Sequence, residues 1–334
     1  MKPSIGNVIK RIILTVIFPA LMFLVMLIIT ASSAKCYVNG KLIFLSADML
    51  RYTIINSCIS ICVALAIWLQ LKNGRFDFSG GASMILTGII AGNIGMMTNS
   101  PWVAIAVALI SGIVLSCLTA CLYFVGKIPI IVCTIGMTLV YESLTYLVFG
   151  GQGIRGFYTQ STTSIFGRVP YVVVPAALAV LAYIIFNYYT TAGRKGKVLA
   201  NNQRAGVNIG INEKKNIIVT AIYTGIIIGF AAIIYVSQNE IKPQSGLATS
   251  GILFSYIVPV FMGIFIGRAS CDVIGIIMAS IGMQIMSYGL NCLDLGSGGW
   301  QQIILGIFVL GFYTFSAQSD NISGYLAKLK TVKK

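Results

Sequence analysis

Long apolar segments separated by short polar ones cover most of this chain, and ten of them can be drawn, at residues 10–32, 50–71, 78–98, 101–125, 129–149, 169–189, 216–237, 252–267, 272–291 and 299–317. A helix needs about 20 apolar residues to cross the hydrocarbon core of a bilayer, so the pattern predicts an all-α polytopic membrane protein with about ten transmembrane helices. The eighth segment is short and contains Pro259, Gly263 and Gly267, and it is read as a broken or re-entrant span. Residues 1–334 are read as one transmembrane domain.

The longest polar interruption is Thr190 to Lys215, with six basic residues: Arg194, Lys195, Lys197, Arg204, Lys214 and Lys215. Basic loops of this length stay on the cytoplasmic side of a membrane. With an even number of spans, both termini then lie in the cytoplasm, including a tail at 318–334. Of the 23 Lys and Arg residues, six (Lys35, Lys41, Arg51, Arg155, Arg168 and Lys242) fall on the outer side, and the other 17 fall inside. That imbalance agrees with the orientation.

Composition narrows the class. The chain is 57% hydrophobic and 9% charged, with a mean hydropathy of +0.91. A soluble domain carries about a quarter of its residues as charges, which excludes that class. The net charge of +15 is spread over short loops with no aromatic-interleaved patch, so it reports membrane topology and not a nucleic-acid partner. The eight cysteines sit mostly in apolar runs without a CxxC, and there is no histidine, so no metal site, disulfide framework or cofactor is read. The first apolar run exceeds the 7 to 15 residues or so of a signal-peptide core and is read as a retained span. No stretch matches GxxxxGK[ST], so the chain cannot cradle a nucleotide phosphate in that manner and is read as not burning ATP itself.

A few polar residues stand out against this background. Asp77 and Ser79 open the third span, where either can cap free N–H groups or line a solute path. Glu142 falls near the middle of the fifth span, where a charge costs roughly 2.5 to 3.5 kcal/mol unless it is paired, buried in protein or protonated. Asn93, Gln284 and Asn291 are further polar groups within or beside spans, suited to interhelical hydrogen bonds. NGRFDFSGGAS (73–83) and IGRASCDVIG (266–275) share Gly-Arg, an acid and small residues ahead of an apolar run, a weak internal repeat.

Four segments resemble the permease subunits of bacterial ABC importers of the ribose type, in the ribose and branched-chain amino acid permease family. NGRFDFSGGAS is similar to the family's Gly-Gly-Ile-Asp-Leu-Ser-Val-Gly-Ser, keeping Gly74, Asp77, Ser79 and Gly81. KIPIIVCTIGMTLVYESLTYLVFGGQGI resembles its proline-led span ending in Thr-Gly-Gly-Gln-Pro, and Trp300-Gln301-Gln302 resembles the Trp-Gln-Gln before its last span. Gly193, Arg194, Asn202, Ala205, Gly210 and Ile211 match at the family's spacing in the central loop. Two departures stand beside these matches. ILFSYIVPVFMGIFIGRAS replaces the usual Leu-Asp-Ala-Ile-Ala-Ala and its glycine-rich sequel, and Glu142 stands where the family commonly has Arg.

The resemblance implies a multi-pass subunit of the bacterial inner membrane. Two permease chains, as a homo- or heterodimer, form the path for a small polar solute, a sugar by family. An extracytoplasmic solute-binding protein delivers that solute, and a separate ATPase subunit drives transport. Residues 190–215 become the cytoplasmic coupling loop: Asn202 caps a short helix, Ala205 and Gly206 leave a small docking face, and Gly210 with Ile211 ends it. Two other functions stand against this one, an ion-coupled secondary carrier and a scaffold paralogue that transports nothing. Carriers place several ionisable groups at mid-membrane, whereas this chain offers essentially Glu142.

Overall fold

The computed structural model describes residues 5–296 apart from Asn39, with isolated helical positions between Trp300 and Thr314. The helices are α1 (Ile5–Ala31), α2 (Ala47–Leu71), α3 (Gly80–Thr98), α4 (Pro101–Gly126), α5 (Ile130–Leu147), α6 (Val173–Ile184), α7 (Thr191–Asn201), α8 (Gln203–Asn208), α9 (Glu213–Val236), α10 (Ala248–Gly267) and α11 (Asp272–Cys292). Eight of these are long and apolar enough to cross a membrane, and α6 meets the same test when taken together with α7. Each coincides with an apolar segment of the sequence to within about five residues. The tenth expected span, 299–317, is described only at isolated positions, and the 318–334 tail lies outside the described residues.

The eighth span differs from its expectation. α10 runs unbroken from Ala248 to Gly267 with Pro259 inside it, starting four residues earlier than the apolar pattern placed it. Proline is tolerated within a membrane helix where neighbours re-satisfy the freed carbonyl. The break falls elsewhere: α6 ends in a π turn at Ile185–Tyr189, and α7 leaves it at 72°.

Packing divides the bundle in two. α2 and α9 are the most enclosed helices together with α11, and the main core is built around Ile59, Leu65, Leu69, Ile89, Ile227 and Ile233. α4 and α9 meet backbone to backbone: a Cβ on Gly225 would lie 2.5 Å from Ile113 Cα, and one on Gly229 would lie 2.7 Å from Ala108 O. Without a hydrophobic drive between helices in lipid, small residues that let backbones approach supply the association. A second cluster joins α1 to α10 and α11 through Phe18, Met22, Met26, Met262, Met283 and Met286. Apolar side chains on α1 (Leu24, Ile28) and α4 (Ile110, Val114) face outward, as lipid or another chain requires.

The two ends of the bundle are unlike. One carries α7, α8 and the connector between α2 and α3. The other carries a short hairpin, β1 (Tyr37–Val38) with β2 (Lys41–Leu42), and two long connectors joined by an antiparallel bridge between Ile154 and Ile241. The two similar segments of sequence occupy matching places at the α7 end, one leading into α3 and the other into α11. The end of α2 reaches the second of them: Lys72 forms an ion pair with Asp272, which also accepts from Trp68 Nε1 at 3.3 Å.

Candidate functional site

The polar run at 190–215 folds into two short helices whose boundaries are set by side-chain caps. Thr190 Oγ1 accepts from Gly193 N at 3.1 Å, Asn202 Oδ1 from Ala205 N at 3.0 Å, and Asn212 Oδ1 from Lys215 N at 3.0 Å. Such caps satisfy the N–H groups that a helix start leaves free. α7 buries one face, Ala192, Gly193, Gly196 and Leu199, and turns Arg194, Lys195 and Lys197 outward. Two residues past the end of α8, Gly210 has a φ of +87° that suits the left-handed turn closing the helix, with Gly210 N donating to Val207 O and Ile211 N to Gly206 O. Asn202 and Ala205 are exposed and Ile211 is buried. Gly206 corrects an expectation: it faces inward, where an added Cβ would meet Leu199 Cδ2 at 2.8 Å. Its small size packs α8 on α7 and adds nothing to an outward docking face.

Beside α7 runs the α2–α3 connector, residues 72–79. Asp77 Oδ1 accepts from Ser79 N at 2.8 Å and from Ser79 Oγ at 2.7 Å. The capping expected of this pair is not made: Ser79 holds the cap position of α3 without a side-chain cap hydrogen bond, and Asp77 instead closes a local turn onto Ser79. A polar seam continues inward from Ser79 Oγ to Thr119 Oγ1 at 3.4 Å and from Thr119 to Tyr141 OH at 2.9 Å, joining α3, α4 and α5. Two cavities touch Asp77, one of about 20 Å³ shared with Gln70, Ser116 and Thr134, the other of about 10 Å³ shared with Gln70 and Thr224. Each is of the order of one water, so neither admits a sugar in this conformation.

Arg75, in the same connector, is buried, and its Nη2 donates to Asn216 Oδ1 at 3.2 Å and to Thr220 Oγ1 at 3.0 Å. Burial pushes its guanidinium pKa down to about 10, which leaves it charged at neutral pH. Neither Arg75 nor Asn216 stands out in the sequence as a site residue. The available signal was a charge inside a glycine-rich motif and an amide at the first position assigned to an apolar span.

At the opposite end, Glu142 is 1% exposed and serves the start of α10. Its Oε2 accepts from Leu247 N at 2.8 Å, and its Oε1 accepts from Thr249 N at 2.8 Å and from Thr249 Oγ1 at 2.6 Å. A carboxylate there meets both free N–H groups and the positive end of the helix dipole. Glu142 stands in the second half of α5, five residues before its last residue and nearer that helix's middle than its end. Asn93 also works at this end, donating to Ile89 O at 2.8 Å and to Gly153 O at 3.0 Å. Gln284 is half-buried in α11. The sequence-derived residues therefore separate into two clusters, Asp77 and Ser79 beside α7 and α8 at one end, Asn93 and Glu142 at the other.

Comparison with known proteins follows this geometry. The profile of the family described as branched-chain amino acid transport system, permease component, matches residues 49–312. The chain is 24% identical to the ribose import permease protein of Escherichia coli strain K12 over 300 residues, covering 87% of this chain and 89% of that protein. It is 20% identical to the D-allose transport system permease protein of the same strain over 276 residues, or 80% and 82% of the two chains. With the autoinducer 2 import system permease protein of Yersinia enterocolitica it shares 26% over 292 residues, or 81% and 76%.

Proposed function

This chain belongs to the family of branched-chain amino acid transport system permease components, and from that membership we propose that it is the membrane-spanning subunit of an ABC importer for a small polar solute, a sugar above all. ATP is hydrolysed by a separate ATPase subunit, an extracytoplasmic binding protein delivers the solute, and a second permease chain completes the path in the bacterial inner membrane. The observation that carries the reading is the α7–α8 pair: a capped, basic helical segment turned outward at the one end of the bundle where Arg194, Asn202, Ala205, Gly210 and Ile211 gather. A subunit that takes its energy from another protein needs such a projecting surface. Placing this end in the cytoplasm, with both termini, follows from the distribution of its basic residues. A sugar as the solute is supported by the two relatives named for ribose and D-allose; the third is named for autoinducer 2.

The test is uptake of tritiated ribose and allose by proteoliposomes holding the chain with its ATPase and binding protein. Transport that requires ATP hydrolysis and ignores ionophores is expected. Uptake that persists with a hydrolysis-dead ATPase and collapses with an ionophore would establish an ion-coupled carrier instead.

A further inference from the structure

Asn216 stands in the second turn of α9, 3% exposed, and joins three separate segments through one amide. Its Nδ2 donates to Ala192 O, on the buried face of α7, at 2.7 Å. Its Oδ1 accepts from Arg75 of the α2–α3 connector at 3.2 Å, and Arg75 reaches on to Thr220, one turn further along α9, at 3.0 Å. In a buried site, losing either partner leaves a polar group unmatched, so the three segments are held as one unit.

The connector also lies on α7 without slack. A Cβ on Gly196 would fall 1.6 Å from Asn73 Oδ1, and Gly74, at a φ of +73°, would place one 2.9 Å from Ala200 Cα. Yet the connector is incompletely satisfied where it sits, since Asn73 Oδ1 and Arg75 Nε are buried without hydrogen-bond partners. Buried polar groups left unpaired favour any rearrangement that pairs them, so the connector needs a restraint, and Asn216 supplies it. By contrast, the covalent route from α7 into the bundle passes through the 72° bend after a π turn, a joint poorly suited to transmitting displacement.

We propose that Asn216 is the positioning residue through which movement of α7 is passed to the α2–α3 connector, with its Asp77–Ser79 pair, and to α9. The proposal rests on reading α7 and α8 as the ATPase-docking segment.

Asn216→Asp separates its two bonds: the carboxylate still accepts from Arg75, but the donor to Ala192 O is gone. In the complex with ATPase and binding protein, hydrogen exchange is compared with and without a non-hydrolysable ATP analogue, alongside uptake of tritiated ribose and allose per ATP hydrolysed. The wild type should change exchange in both α7 and residues 72–79. Asn216→Asp, which keeps the bond from Arg75, should lower the unfolding midpoint less than Asn216→Ala and keep ATPase association and the response of α7, while residues 72–79 cease to respond and the uptake ratio falls at least tenfold. Asn216→Ala should show the same uncoupling with a lower midpoint. An Asn216→Asp protein whose connector still responds, or whose ratio is unchanged, overturns the relay and leaves the importer reading standing. A wild-type complex without ATP-dependent uptake, and without any response of α7 to nucleotide, removes the importer reading and the relay with it.

Discussion

Glu142 and Thr249, 107 residues apart in sequence, are joined by two hydrogen bonds to one carboxylate oxygen, 2.8 Å from the amide and 2.6 Å from the hydroxyl. The second oxygen takes Leu247 N, so one α5 side chain fixes the point where α10 begins. This joins the two places where the sequence departs from the ribose-type pattern, Glu142 itself and the helix holding ILFSYIVPVFMG.

Replacing Glu142 therefore should act through α10. Glu142→Leu orphans three donors, of which the two on Thr249 are buried and each worth about 1–3 kcal/mol, and is expected to destabilise the protein by roughly 3 kcal/mol. Glu142→Gln retains one acceptor and should lose about 1 kcal/mol. Unfolding in detergent by intrinsic fluorescence checks both, and equal midpoints for the two variants would contradict the capping role.

Ala205 and Gly206 are neighbours with opposite environments. Ala205 is exposed, so Ala205→Trp should leave the unfolding midpoint unchanged and abolish co-purification with the ATPase. Gly206→Leu must displace Leu199 and should lower the midpoint, with overpacking costs of about 1–3 kcal/mol. Wild-type ATPase binding by Ala205→Trp would remove α8 from the interface.

Two glycine substitutions should have opposite signs. Gly225→Ala places a methyl 2.5 Å from Ile113 Cα and 2.6 Å from Gly112 O, atoms of backbone that cannot rotate away. About 3 kcal/mol of destabilisation, or failure to accumulate, is expected. Gly251→Ala meets nothing within 4 Å in α10 and should be neutral or gain about 0.5–1 kcal/mol from reduced chain entropy. Expression level and thermal midpoint measure both.

Topology is open to labelling. In a variant whose native cysteines are replaced by alanine, Gln160→Cys should react with an impermeant maleimide on whole cells, and Lys195→Cys should react only after permeabilisation. Both positions are exposed. The reverse pattern would invert the orientation drawn from the basic residues.

The spans were legible because each is a run long enough for hydropathy alone to mark it, and Asn202 and Gly210 were legible because caps and left-handed turns are local chemistry. What the sequence hid depends on contacts between distant segments. Glu142 drew notice as a costly charge, but its partners are backbone amides that any residues at 247 and 249 would provide. Pro259 suggested a break because its own carbonyl partner is lost, while the neighbours that permit a continuous α10 are invisible locally. Gly206 looked like part of a docking face because spacing gives no direction until Leu199 is packed against it. Asn216, first residue of an assigned span, looked like a boundary.

The methionines between α1, α10 and α11 give this bundle an uneven stiffness. Where α4 crosses α9, main chains abut and no side chain can flex to absorb a shift. Unbranched thioethers such as Met22, Met262 and Met286 can change rotamer and refill the space they leave at little cost. Strain entering the protein from either end is therefore expected to relax by α1 sliding along this pliable seam, while the glycine crossing keeps its register as a hinge pin would.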